Sequence, residues 1–570
     1  MFKNKKYILI AILVVAAFLR LYKLESVPVS MFGDELDVGY HAYSILKTGK
    51  DYSGNAWPLH FQSLAEWRTP LYLYSAVPTV ALFGISPLSV RLPAAIFGLL
   101  GVYALYLFVN EATKNEKLAL ISTAILAFSP WHIQYSRAAF EVTQMLFFLL
   151  MGLYLFYKSL DNGKFLWLSV ASFLLMPWDY STAKIYTPFF LLLLFVLYFK
   201  KIIKYDKKYL IRTVIAGLLL GGPLVFNIFF GGGAQRFGYV SVFSDPTTET
   251  TIGVARENDA HVRGETGSGL SPTIIDRIFH NKFELWGAKI LNNYFQPFSA
   301  DFLFNNGDPN LRHSIQGMGE FYKVEALILL IGFAYLLLGK EDKKFRWLLI
   351  GMLLLGPIPA ALTRDGGNHA TRLILLLPVF VVLMAFGFNR LSKNNIYLWG
   401  YLGLFAINFV IYQHLFWAHN PWYSERWWHY GWREAVQSIK VIDQQYQKVV
   451  ITSADEPPWI FFAAQYEYPP DIWHTEYPIG NDIVLDGFGK ISHTGKFYFG
   501  TPEGGLYDWG KVLDDKTLYL ASAKEVNVNL IAEPERTPND IKVLKSIAYP
   551  SGEPAFYLIT GISNEENSKQ

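Results

Sequence analysis

Apolar residues in this chain fall in long uncharged blocks, among them 7–19, 94–109 and 189–199. Blocks of this kind have the composition of helices that cross a lipid bilayer. The connections between them alternate in character. One kind is short and basic: Lys114–Lys117, Lys164, Lys200–Arg212, Lys340–Arg346 and Arg390–Lys393. The other kind is aromatic, acidic or rich in Gly and Pro. Short basic connections collect on the cytoplasmic side, and Lys3–Lys6 joins them there. The pattern therefore predicts about eleven spans, with the N-terminus inside and the C-terminus outside. They are expected near 7–24, 90–109, 118–132, 142–159, 165–178, 185–199, 213–230, 323–338, 347–362, 373–388 and 396–417. The first run reaches Leu19-Arg20 without a small-residue cleavage site, so it reads as an uncleaved span.

Pro70–Gly84 is also apolar. As a span it would invert every later loop and turn the lysine clusters outward. It is expected instead as an interfacial helix on the outer face, with Tyr72 and Tyr74 at headgroup level. Three regions then lie outside: 25–89, 231–322 and the tail 418–570. The tail has strand-like runs at Lys448–Thr452, Lys496–Phe499, Thr517–Ala521 and Phe556–Thr560, and a helix candidate at Glu434–Gln447. The expected plan is a membrane module over 1–417 and an extracytoplasmic soluble α/β domain over 418–570. Glu565–Gln570 is expected to fray. The 231–322 loop reads either as a partly ordered lid or as a spacer. Trp459, Tyr466, Tyr468 and Trp473 either stack on sugars or, the favoured reading, form the core of the tail.

Composition agrees with a membrane protein. Of 570 residues, 52% are hydrophobic and only 17% charged, against about 25% charged in soluble domains. The net charge of +3 gives no sign of a nucleic-acid partner. The absence of cysteine excludes disulfides, thiolate metal sites, thiol catalysis and Cys-linked lipid anchors.

Candidate chemistry gathers in the outer connections. Gly33-Asp34-Glu35-Leu36-Asp37 crowds three carboxylates into four residues. Repulsion and partial desolvation would raise at least one pKa, which poises a general base or holds a divalent cation. A solvated acidic loop is the plain alternative. Arg137 and Glu141 are four residues apart at the outer end of an uncharged block. They are either functional or an internal pair that locks helices. Asp179 and Lys184 flank the next outer turn, where Lys184 is either a site residue or an anchor. Thr363–Arg372 carries Arg364, His369 and Arg372 outside, against the charge trend. A guanidinium there suits phosphate oxygens, of a substrate or of lipid headgroups. Acids and bases clustered at outer ends suit a lipid-linked phosphate better than a midplane transport site.

At Asp34-Glu35 the chain resembles the GT-C class of membrane glycosyltransferases, in particular the protein O-mannosyltransferase and aminoarabinose-transferase-like group. The resemblance rests on Asp34-Glu35 with Gly39, Pro70-Leu71, Arg91-Leu92, and Ser136-Arg137 followed by Glu141. It covers 1–230 well and 350–390 loosely, and Glu141 stands one position closer than the usual Asp. Trp427-Trp428-His429-Tyr430-Gly431 is similar to a motif of the oligosaccharyltransferase branch, with His429 where that motif has Asp. The favoured reading of those aromatics is a membrane anchor.

The resemblance implies an inverting transfer from a polyprenyl-phosphate sugar to a hydroxyl acceptor at the outer face of a prokaryotic plasma membrane. It implies Asp34 as general base, with Glu35 and Glu141 orienting the acceptor, tuning Asp34 or touching a metal. Arg137, Lys184 and Arg372 would neutralise the leaving phosphate. Arg68, Asp179, Tyr186 and His369 are further substrate-binding candidates. A divalent ion (Mg, Mn, Ca or Zn) is left open, with Asp34, Glu35, Asp37 and His369 as candidate ligands. The acceptor, whether glycan, lipid or protein, is not specified. A transporter or flippase of lipid-linked saccharides, and a non-catalytic envelope assembly protein, are the rival readings.

Overall fold

The computed structural model describes residues 5–63, 67–267, 270–339, 341–454, 457–477 and 482–562. Lys3, Lys340 and Glu565–Gln570 lie outside the described residues. Among the described residues, seven helices are long and apolar enough to cross a membrane: Pro87–Thr113, Val142–Asp161, Ala183–Ile202, Lys207–Phe230, Lys343–Ala361, Ala370–Leu391 and Asn395–Tyr423. The chain is a largely helical, multi-pass membrane protein.

The expected count of eleven is corrected by helix length. Four expected spans are the helices Lys5–Leu21, Glu116–Phe128, Leu166–Asp179 and Glu325–Leu338, of 17, 13, 14 and 14 residues. At ~1.5 Å per residue the three shorter ones rise only about 20 Å, less than the ~30 Å hydrocarbon core. Punctuation in the sequence cuts two of them. Glu116–Phe128 stops at Ser129, and Pro130 opens a separate short helix, Pro130–Tyr135. Leu166–Asp179 ends two residues after Pro177, at extended Tyr180.

The basic connections also start helices. Asp206 accepts hydrogen bonds from the Lys208 amide, and Asp342 from the Lys344 and Phe345 amides. Each carboxylate thus caps otherwise unsatisfied N–H groups. Lys207–Phe230 leaves Leu218, Leu219, Phe226 and Phe229 more than 60% exposed. Lipid rather than water suits such a face. Ala370–Leu391 is instead buried along most of its length and is an internal helix.

Two compact units divide the chain. One holds residues up to Ala17, Phe97–Tyr135 and Glu141–Val410. The other holds Phe18–Ile96, Ser136–Phe140 and the residues from Ile411 onward. In the first unit, the stretch after Phe230 folds into helices Gln235–Val240, Thr248–Val262, Ile274–Phe279 and Lys282–Phe295. Ion pairs Arg263–Asp276, His280–Asp259 and Lys289–Asp245 join parts of it.

The second unit contains a seven-stranded mixed sheet. Its strands are β1 (Lys448–Ile451), β2 (Asp482–Leu485), β3 (Gly489–Thr494), β4 (Phe497–Phe499), β5 (Thr517–Ser522), β6 (Ile541–Ala548) and β7 (Pro554–Gly561). Their order is β2-β3-β4-β1-β5-β7-β6. Strand β1 runs parallel to β4 and β5, and the other pairings are antiparallel. Strand β5 is buried at every residue, as a central strand covered on both faces should be. The helix candidate is observed as Trp432–Ile442 followed by a tight turn, Asp443–Gln445.

One apolar core joins this sheet to the first loop. Leu36, Val38 and Tyr40 of helix Gly33–Thr48 share it with Leu73 and Ala76 of helix Pro70–Phe83, and with Val449, Ile451 and Leu518 of the sheet. Gly39 permits close approach here: a Cβ on it would stand 2.9 Å from Ile85 and 3.2 Å from Val90. Tyr468 and Trp473 are buried in that core, and Trp459 and Tyr466 pack against it. Helix Pro70–Phe83 has 14 residues. Tyr72 does not face outward from this helix: it is fully buried, and its hydroxyl donates to the Val90 carbonyl.

Candidate active site

Helix Gly33–Thr48 opens with the acidic cluster, where carboxylates oppose the partial positive charge of a helix N-terminus. The three side chains then part company. Asp34 is exposed, and among the described residues no hydrogen bond or ion pair holds its carboxylate. Glu35 is fully buried. It receives Arg91 Nε and Nη2 on separate oxygens, both at 2.8 Å, and the Ala139 amide at 3.0 Å. Arg91 also donates to the carbonyls of Leu24, Pro28 and Ser30, and it lies 5.5 Å from the Trp428 ring. Trp428 is therefore an internal wall, not a membrane anchor.

Asp37 is buried as well. It accepts from Tyr52 Oη at 2.6 Å and from Arg68 Nη1 at 2.8 Å. Arg68 Nη1 also donates to the Asp34 carbonyl, which braces the turn that carries Asp34. Crowding does not raise Asp37. Burial pushes its carboxyl up, but His41, Arg68 and the Tyr52 hydroxyl outweigh it and hold the pKa below the usual value. Glu35 and Asp37 are bonded to arginines, which leaves Asp34 as the exposed carboxylate of the cluster.

His41 completes this network, stacked on Tyr52 at 3.8 Å between centroids. Burial lowers its pKa to about 4, against an opposing pull from Asp37. Between pH ~6.5 and ~4 the folded protein therefore binds fewer protons here than the unfolded chain. Stability from neutral His41 is complete above pH ~6.5 and is lost as pH falls, by up to roughly 3 kcal/mol across the window. Thermal unfolding in detergent should show this slope, and His41→Gln should flatten it.

Arg137 is fully buried in the second unit. It donates to the carbonyls of Leu19, Tyr22 and Val27 at 2.8–2.9 Å and lies 4.9 Å from the Trp417 ring. Its guanidinium ties down the turn after helix Lys5–Leu21, which leaves it poorly placed to meet a phosphate.

The remaining candidates belong to the first unit. Lys184 and Arg372 line one cavity of ≈ 400 Å³ together with Arg236. Ile185, Ile228, Phe237, Val240 and Leu362 supply apolar walls, and Tyr180, Ser181, Thr182 and Thr363 supply hydroxyls. Lys184 Nζ donates to the Gly233 carbonyl at 2.9 Å. Arg372 donates to Thr363 Oγ1 at 2.7 Å and pairs with Asp365, which is exposed. Arg236 lies over Tyr180. Asp179 is buried near Glu141, close enough for their carboxylates to repel. Tyr186 is stacked on Phe190 and does not line the cavity.

Whereas the Asp34 cluster belongs to the second unit, His369 belongs to the first. It gathers with Asp308 and His313 into a His/Asp group whose ligand atoms lie within 4.8 Å of one another. This is a plausible site for a divalent metal. Burial raises Asp308 to about 7 and holds both imidazoles well below their usual value, so that they are neutral and able to ligate. Sequence reasoning missed Asp308, His313 and Arg236 as site residues. Asp308 and His313 sit in a long loop without a recognisable spacing, and only folding brings them to His369.

The profile of the family described as dolichyl-phosphate-mannose-protein mannosyltransferase matches residues 68–225. YkcB of Bacillus subtilis (strain 168), a protein named a mannosyltransferase, is 27% identical over 155 residues. That match covers 26% of this chain and 21% of YkcB. The crystal structure of ArnT from Cupriavidus metallidurans bound to undecaprenyl phosphate superposes over 97% of this chain and 98% of its own, with a TM-score of 0.53 and 11% identity. The chain has the ArnT fold. An oligosaccharyltransferase of Archaeoglobus fulgidus aligns over 81% of this chain and 64% of its own, at 14% identity and a TM-score of 0.45. The family match over residues 68–225 and the shared fold with ArnT agree with the resemblance to GT-C glycosyltransferases.

Proposed function

We propose that this protein moves a sugar from a polyprenyl-phosphate donor to a hydroxyl acceptor at the outer face of the plasma membrane. The observation that carries the reading is the cavity lined by Lys184, Arg236 and Arg372 among apolar walls. A lipid-linked phosphate needs both chemistries at once: cations for the phosphate oxygens and apolar surface for the first prenyl units. The ArnT fold, and the name of the matched family, support the same donor class.

In this reading the N-terminus is cytoplasmic and the sheet unit extracytoplasmic. The acceptor oxygen attacks the anomeric carbon as Asp34 takes its proton. The new glycosidic bond forms opposite the breaking bond to phosphate oxygen, so the carbon inverts. Polyprenyl phosphate leaves, and Lys184, Arg236 and Arg372 stabilise its charge. Glu35 acts as a positioning residue that fixes the turn before the base, and Glu141 and Asp179 orient the acceptor. Membrane lipid surrounds the donor chain, and the acceptor is a glycan, lipid or protein.

Loss of one charge-assisted contact to phosphate costs about 1.5–3 kcal/mol. Arg372→Gln and Lys184→Gln should each lower kcat/KM for the donor about ten- to a hundredfold. Arg372→Lys should recover only part, because a bidentate contact is lost. Donor-titrated transfer assays check this, and unchanged donor kinetics in both glutamine variants would contradict the assignment of the cavity.

A further inference from the structure

Among the described residues, one group of three His and acidic side chains converges well enough to hold a metal ion: Asp308, His313 and His369. Asp308 Oδ2 stands 3.8 Å from His369 Nδ1, and the two imidazole centroids are 5.0 Å apart. His369 Nδ1 is buried and makes no hydrogen bond among the described residues. A buried ring nitrogen in that state is costly unless something occupies it.

The surroundings are built to aim these groups. The Asp308 carboxylate accepts the Asn310 and Ala370 amides, one on each oxygen, both at 2.9 Å. His313 Nδ1 meets Thr371 Oγ1 at 3.2 Å, and Thr371 in turn bonds Tyr135 Oη at 2.8 Å. Tyr135 also stacks on the His313 ring. Outer hydrogen bonds of this kind orient metal ligands and fix imidazole tautomers.

We propose that Asp308, His313 and His369 bind one divalent transition-metal ion, of the zinc type, that pins the segment carrying Arg372. Two imidazoles with one carboxylate favour zinc, cobalt or manganese over magnesium or calcium, which prefer all-oxygen shells. The ligand atoms stand somewhat wider than the ~3.3 Å edges of a tetrahedral shell with ~2.05 Å bonds, so binding would draw them inward. His369 precedes helix Ala370–Leu373, which carries Arg372 into the cavity wall. Asp308 already holds the first amide of that helix. A bound ion would therefore join the loop of Asp308 and His313 to the base of Arg372. The site contains none of the first-loop carboxylates. Its effect on the donor rests on the cavity assignment above, whereas the metal site itself does not.

The test uses the purified full chain in detergent, stripped with chelator and titrated with Co²⁺ and Zn²⁺. One Co²⁺ per chain should bind and give visible d–d bands that Zn²⁺ displaces. His369→Ala and Asp308→Asn should lose these bands while keeping helical content and a monodisperse elution. Asp34→Asn should keep them. Undecaprenyl phosphate should bind the stripped protein at least tenfold more weakly than the Zn²⁺-loaded protein. Bands that persist in His369→Ala, or that vanish in Asp34→Asn, would overturn the site. Metal binding with unchanged affinity for undecaprenyl phosphate would overturn its role on Arg372. Because the first readout needs no transfer activity, failure of the site and failure of the proposed function are separable.

Discussion

Asp34→Asn should lower sugar transfer by three orders of magnitude or more while donor affinity stays within a fewfold of wild type. The amide matches the carboxylate in shape but cannot take the acceptor proton. General-base assistance typically contributes ~10²–10⁴ in rate. Removing the carboxylate charge beside an anomeric carbon that gains positive character should add to the loss. The fold should not suffer, because Asp34 is exposed and its side chain supports no internal contact among the described residues. Arg68 reaches this residue through its carbonyl, which the substitution leaves in place. Single-turnover assays at saturating donor, paired with donor binding, check the expectation. Near-normal turnover in Asp34→Asn would remove this residue from the chemistry.

The second large effect is on stability. Arg91→Met should destabilise the second unit by about 3–5 kcal/mol, the usual result of stranding one member of a buried ion pair. The stranded group is Glu35, which is fully buried and bonded to Arg91 through both oxygens. Three carbonyls, of Leu24, Pro28 and Ser30, lose a donor at the same time. Glu35→Gln should be milder, because an amide still donates and accepts in that space. A combined Glu35→Leu and Arg91→Met variant should recover much of the lost stability, since an apolar replacement of both partners leaves no buried charge. Thermal unfolding followed by tryptophan emission checks this, with Trp428 against Arg91 as a local reporter. Recovery of folding without recovery of transfer would place Glu35 as a positioning residue. A fully stable, inactive Glu35→Gln protein would instead assign it to the chemistry.

Much of the architecture was legible because local pattern and final environment agree. The predicted runs at Lys448–Thr452 and Thr517–Ala521 are β1 and β5, whose apolar residues are buried. Strands β2, β3 and β6 gave no comparable signal. Burial along β2 alternates between exposed and half-buried, and β6 exposes Lys542, Leu544, Lys545 and Ser546, so edge position hides the pattern of these two strands. The count of spans overshot because four of the expected apolar blocks fold as helices of only 13 to 17 residues.

The site divided along the same line. Lys184 and Arg372, which line the cavity, and the exposed Asp34 could be singled out by residue type. Their neighbours Glu35, Asp37 and Arg137 carry the same charges, yet they are tied inward by partners that sequence spacing does not reveal. Arg91 is distant from Glu35 in the chain, and the carbonyls that hold Arg137 carry no residue identity at all. Asp308 and His313 were invisible for the converse reason, since nothing local marks them until His369 arrives.

The most direct test of the central claim follows the donor itself. Purified protein in vesicles would receive radiolabelled polyprenyl-phosphate sugars drawn from cell membranes, with a membrane extract as acceptor. The account predicts that free polyprenyl phosphate accumulates in step with labelled sugar on an acceptor, and that the anomeric carbon of the product is inverted. Donor that crosses the vesicle membrane with its sugar-phosphate bond intact, and with no labelled acceptor formed, would contradict it.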